Sequence, residues 1–254
     1  MASIVSTRRR DTVSRVVAEQ FAPILAVHRA LIARARPEID VARARARVAR
    51  GRPALDATTL MRGADDLARS FEEAAAAFER SGIASTSSIG ALKRRPADVE
   101  RLVMGWVNGD LTSADGDRNL ARRIAGVVGN AWLRRAATEM SDSMSFRGWS
   151  AVVCPCCGAS PDLAVRTPRR RTLVCWRCDT KWRTDVTGCL GCGADGPPDV
   201  VRVPSPYLGY ELAICNNCSR YLKERRGSLT YDPLVERALT AGLDAAAEGR
   251  GLRL

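Results

Sequence analysis

Eight of the nine cysteines form four Cys-x-x-Cys pairs within one 65-residue stretch: Cys154/Cys157, Cys175/Cys178, Cys189/Cys192 and Cys215/Cys218. Eight thiolates are the donor set of two tetrahedral all-sulfur metal sites. Two residues between ligands let one tight turn aim both sulfurs at a single ion, and a second turn from elsewhere in the chain completes the tetrahedron. Such sites hold no open coordination position, so they brace a fold or pass single electrons and do not activate water. Disulfides and redox dithiols use the same residue type. Four pairs in series are unlike the single helix-starting pair of a thioredoxin motif. Residues 1–20 carry Arg8, Arg9, Arg10, Asp11, Arg15 and Glu19 with no apolar core, unlike an export signal. Metal binding in a cytoplasmic protein is the expectation. The ninth cysteine, Cys156, lies inside the first turn, Cys154-Pro155-Cys156-Cys157, and reads as a spare thiol, with substitution as a ligand the alternative.

The pairs read as two copies of one pattern. Copy one runs Cys154, Cys157, Gly158, Pro161, Leu173-Val174, Cys175, Cys178, Trp182; copy two runs Cys189, Cys192, Gly193, Pro197, Leu212-Ala213-Ile214, Cys215, Cys218, Tyr221. In each copy a glycine follows one pair, where a positive φ turns backbone N–H groups toward the sulfurs. Gaps of 17 and 22 residues separate the pairs within a copy, the first of them in the range of a zinc-ribbon or rubredoxin-like knuckle. The assignment is one site from Cys154, Cys157, Cys175 and Cys178 and another from Cys189, Cys192, Cys215 and Cys218. Crossed pairings of the four motifs stay open at this level, as does the choice between iron and zinc.

These motifs need a scaffold, and the chain changes character near residues 141–150, where small polar residues replace helical periodicity. Before that point the pattern predicts helices: one starting at Pro23 with Ile24, Leu25, Val27, Leu31 and Ile32 apolar; a break at Pro37; Val41–Arg50 ending at Gly51; 55–81 with Leu60, Met61, Leu67, Phe71 and Phe78 inward. Further helices follow around Val99–Val107 and from about Ser113 or Asp115 to Met140. His28, the single histidine, lies on a helix, leaving histidine-based catalysis almost nowhere to live. After the boundary, short strands are expected at Ala151–Val153, Thr172–Val174, Val200–Val203 and Leu212–Ile214, then a helix from Asp232 to Glu248 with Asp232 as N-cap. The expected fold class is α+β. A helical domain, 1–149, with its first ten or so residues disordered, precedes a double four-cysteine domain, 150–254, of two tandem modules and a C-terminal helix.

No run of 18 apolar residues occurs, which argues against a membrane span. The formal charge is +12. Residues 1–150 hold 25 Lys+Arg against 17 Asp+Glu, and residues 151–254 hold 15 against 11. Each divalent ion with four thiolates adds about −2, so two sites bring the second half near neutrality and leave the basic surplus on the helices. A nucleic-acid interface is thereby disfavoured, since the cysteine region lacks a basic stripe alternating with aromatics.

The cysteine region resembles the formate dehydrogenase accessory proteins of the FdhE type. The resemblance rests on Cys154-Pro155-Cys156-Cys157-Gly158-Ala159-Ser160-Pro161, on Leu173 through Trp182, on Cys189-Leu190-Gly191-Cys192-Gly193 and on Cys215-Asn216-Asn217-Cys218-Ser219-Arg220-Tyr221-Leu222-Lys223. The tail Asp232-Pro233-Leu234-Val235-Glu236 with Leu243-Asp244 completes it. It covers about residues 151–254; the helical half is only loosely similar. The resemblance implies a helical N-terminal domain and two rubredoxin-like sites able to hold iron. It also implies a non-enzymatic, cytoplasmic role in formate dehydrogenase maturation through contact with the catalytic subunit. From the residues alone, the rivals are a nucleic-acid-binding zinc-ribbon protein and a rubredoxin-like electron carrier. Oligomeric state is not encoded in any of these motifs.

Overall fold

A computed structural model describes residues 2–56, 64–92, 95–109, 117–168, 170–205 and 209–254. They form two compact units: Gln20–Ser145 with Arg177–Asp179, and Met1–Glu19, Phe146–Trp176 and Thr180–Leu254.

The helical unit takes the latter part of α1 (Ala2–Arg34) and then α2 (Val41–Ala49), α3 (Ala64–Arg80), α4 (Thr86–Gly90), α5 (Pro96–Asn108) and α6 (Asp117–Ser143). Apolar periodicity sets its core: Ile24 and Leu31, Leu67, Phe71 and Phe78, Val99, Val103 and Val107, and Ile124, Val128 and Leu133 are buried. Pro23 does not start a helix as expected; it lies inside α1. Proline removes one backbone donor, and the flanking turns carry the helix across it. Thr86–Gly90 is a short helix, capped by the Ser85 side chain accepting from the Ser88 N–H. Leu60, Met61 and Ser113–Asp115 fall outside the described residues. Close packing of α5 on α6 depends on glycine: a Cβ at Gly126 or Gly129 would run into the Trp106 indole, at 2.9 Å and 2.6 Å respectively. Within this unit His28 Nε2 pairs with Asn130 Oδ1 at 2.7 Å, and the Asn130 amide donates to the Arg177 carbonyl and to Asp179.

Ser14–Arg34 of α1 is, by length and composition, apolar enough to cross a membrane, with mean hydropathy 1.4 and 17% of the window buried. One such helix is weak evidence of a span. Alanine and valine spaced between few charges raise the average without making a continuous apolar run. A core helix passes the same test, and Ile24, His28 and Leu31 on this stretch are buried.

The second unit is built on six strands: β1 (Pro161–Thr167), β2 (Arg170–Cys175), β3 (Lys181–Thr184), β4 (Val200–Pro204), β5 (Tyr210–Cys215) and β6 (Tyr221–Arg226), followed by α7 (Pro233–Glu248). Their order in the sheet is β3-β2-β1-β6-β5-β4. Each repeat copy forms an antiparallel three-stranded meander, and the copies join through the parallel pair β1 with β6, Leu163 facing Lys223 and Arg166 facing Arg226. The strands expected at Thr172–Val174, Val200–Val203 and Leu212–Ile214 are present. Ala151–Val153 is not a strand but the approach to the first cysteine turn, where the Trp149 indole donates to the Val153 carbonyl. β1, β3 and β6 were not expected, because Arg, Lys and Glu interrupt their apolar pattern.

α7 starts as predicted, with the Asp232 side chain accepting from the Leu234 N–H and Pro233 in the first turn. It is fastened to the sheet by polar groups. Glu236, fully buried, accepts from the Tyr210 hydroxyl at 2.8 Å and from the N–H groups of Thr230 and Tyr231. Arg237 binds Asp162 of β1 through two nitrogens at 2.7 and 3.1 Å, and Asp244 pairs with buried Lys223 at 2.7 Å. Buried charge is retained here because every charge has a partner.

Candidate metal centre

Each repeat copy carries one cysteine turn ahead of its first strand and a second at the end of its middle strand, β2 or β5. Folding the meander brings the two turns together. All four turns use one local geometry. The first cysteine's N–H donates to the carbonyl two residues beyond the second cysteine: Cys154 to Ala159, Cys175 to Thr180, Cys189 to Ala194 and Cys215 to Arg220, at 2.7–3.0 Å. The residue after the second cysteine is left-handed every time. Gly158 and Gly193 have φ of 76°, and Asp179 and Ser219 have φ of 58° and 57°. Two of these positions were legible as glycines; of the other two, aspartate is among the residue types that tolerate this conformation and serine is not.

The turns gather the thiols into two groups, Cys154, Cys157, Cys175 and Cys178 and then Cys189, Cys192, Cys215 and Cys218, with all four sulfurs of each within 4.8 Å of one another. Adjacent copies of the pattern are not crossed. Sulfur pairs lie at 3.4 Å (Cys157 and Cys175), 3.5 Å (Cys189 and Cys218) and 3.6 Å (Cys192 and Cys215). Four thiolates at about 2.3 Å from one ion sit about 3.8 Å apart, a spacing that lies between these shortest pairs and the 4.8 Å outer limit of each group, so only small shifts separate them from a tetrahedral site. Both can hold a tetrahedral metal ion. Cys156 is buried but belongs to neither group.

Donors toward the sulfurs include the Cys157 N–H to Cys154 Sγ, the Gly191 N–H to Cys189 Sγ and the Asn217 amide to Cys192 Sγ. Such bonds spread the negative charge of a thiolate set. The second group is uneven. A hydrogen bond from the Ala194 backbone, outweighing desolvation, lowers the Cys192 thiol to about 7. Burial pushes Cys218 up to about 12 and raises Cys215. Glycine is required once more around this group: a Cβ on Gly188 would collide with the Ala194 carbonyl, whereas one on Gly191 would push against the Arg220 side chain. Sequence reading missed one further support, the Arg237 guanidinium donating to the Cys175 carbonyl at 2.8 Å. Arginine sixty residues away carries no local signal for such a contact.

A helical unit joined in sequence to a two-copy, four-cysteine sheet with a fastening C-terminal helix defines the class of protein. No protein-family model matches the chain, and no curated protein does. Among solved structures, the crystal structure of the FdhE protein from Pseudomonas aeruginosa is similar over 97% of this chain and 92% of that one, with a TM-score of 0.64 at 15% identity. The chain has the FdhE fold.

Proposed function

We propose that this protein is a non-catalytic, cytoplasmic accessory factor for formate dehydrogenase, binding its catalytic subunit during maturation, with Cys154, Cys157, Cys175, Cys178, Cys189, Cys192, Cys215 and Cys218 as ligands of two metal ions. The observation that carries the reading is the FdhE fold over nearly the whole chain, helical part included, together with two complete thiol tetrads. Iron, in keeping with a rubredoxin-like site, is the metal expected, and zinc satisfies the same donors. Bound iron would supply a one-electron couple. The chain's own residues do the rest: paired turns fix the sulfurs, backbone and Asn217 donors stabilise their charge, and Arg237 ties the Cys175 turn to α7 and β1.

The Arg-rich helical unit suits an acidic partner surface. Affinity purification with the formate dehydrogenase catalytic subunit as bait tests the assignment, with co-purification at low salt and loss at high salt as the expected result. Absence of the chain from the eluate at low salt, with formate oxidation unaltered in a deletion strain, overturns it. Elemental analysis and a visible spectrum of anaerobically purified protein test the metal: ferric thiolate is red and zinc colourless.

A further inference from the structure

The two thiol groups are chemically alike and physically unequal. In the first, Cys154, Cys157, Cys175 and Cys178 are 0%, 7%, 0% and 1% exposed. In the second, Cys189 and Cys215 are buried, Cys218 is half-buried and Cys192 is exposed. A cavity of about 240 Å³ borders Cys189 and Cys215 of the second group, with Val153, Pro161 and Gly191 also in its lining.

Resting on the reading of both groups as metal sites, we propose that the second is an exchangeable site for a thiophilic divalent ion, opened at Cys192, while the first is closed and permanent. A four-thiolate ion has no vacant position, so it leaves only when an incoming ligand reaches it and displaces a sulfur. In the first group every sulfur is covered. In the second, an incoming thiolate or carboxylate chelator has direct access at Cys192, the exposed member of the group. The exchange is a substitution without redox change: the bond from the ion to the incoming sulfur or oxygen forms, the bond to Cys192 Sγ breaks, and the released thiolate takes a proton from water. Asn217, whose amide donates to Cys192 Sγ at 3.5 Å, is the side chain that steadies the ligand on this open edge.

The test uses the full chain reconstituted with zinc, its content measured first. An excess of a chromogenic carboxylate chelator is added and release is followed in time, while a parallel sample is pulsed with iodoacetamide and its cysteine peptides are identified by mass spectrometry. The expected result is two phases of one equivalent each, the first at least ~10-fold faster. Cys192 and Cys218 should be alkylated during the fast phase, and Cys154, Cys157, Cys175 and Cys178 protected until the slow one. Asn217→Ala, which removes no ligand, should accelerate only the fast phase. Release of both equivalents in a single phase, or early alkylation of the first group, overturns the inference and leaves the two-site reading standing. A starting content of no bound zinc overturns that reading and the inference with it.

Discussion

At the scale of single residues, the cysteine turns show what a ligand spacing demands of its neighbours. Cys-x-x-Cys places two sulfurs, but the chain must then reverse, and the reversal falls on the residue after the second cysteine. Glycine accepts the left-handed conformation freely and aspartate tolerates it at Asp179, whereas Ser219 adopts it at a cost of about 1–2 kcal/mol. Ser219→Gly should therefore raise stability by up to about 1 kcal/mol, the gain in backbone strain being partly offset by the entropy of glycine in the unfolded chain. Gly193→Ala, in open space at φ 76°, should cost about 1 kcal/mol for conformational reasons alone. Denaturant melts of the metal-loaded protein measure both, and opposite signs are expected. Tyr210 gives a pH signature. Burial, and then the Glu236 carboxylate, raise its phenol well above the ordinary range. Above about pH 10 the unfolded chain loses this proton while the folded chain keeps it, so the folded state binds more protons and stability falls as pH rises. Tyr210→Phe should flatten that alkaline decline and cost roughly 1–2 kcal/mol at neutral pH, because Glu236 Oε2 loses its donor.

Among the elements, α7 has the largest leverage. Val235 and Ala247 on it are buried, yet Glu236, Arg237 and Asp244 make the polar contacts that fix its position on the sheet. Arg237 joins α7, Asp162 of β1 and the carbonyl of Cys175, so one guanidinium couples the helix to the first thiol group. Arg237→Ala leaves Asp162 buried without its counter-charge and should destabilise the fold by about 3 kcal/mol. Zinc affinity of the first site should weaken by ~10-fold or more, as expected for loss of an outer support. Competition titration against a chelator reads the second effect apart from the first. Arg237→Lys keeps the charge and loses the two-nitrogen fork, and should recover less than half of the lost affinity.

At the scale of the whole molecule, the two units draw their stability from different sources. The helical unit has a core of Leu, Ile, Val and Phe on periodic faces, whereas the sheet unit carries six short strands and seven of the eight grouped thiols. Small metal sheets gain much of their folding free energy from the ion. Strong chelation should thus abolish the near-ultraviolet signal of Trp149 and Trp182 and expose the sheet amides to hydrogen exchange, while helical ellipticity and protection of α3, α5 and α6 persist. Acid should act the same way, because protons compete with the ion for the thiolates. The sequence by itself determined what short-range chemistry controls: four knuckles, their glycines, the helical stripes, the Asp232 cap and the change of character near residue 145. Those features depend on residues a few positions apart, and their spacing is a sufficient statement of the local geometry. Only the tertiary structure decided that the two copies fuse through β1 and β6 into one sheet and that α1 runs through Pro23. It also decided that charged Lys223, Glu224 and Glu236 are interior and that one thiol group faces solvent while the other does not. Strand pairing, counter-charge and exposure are relations between residues distant in the chain, and no local pattern records them.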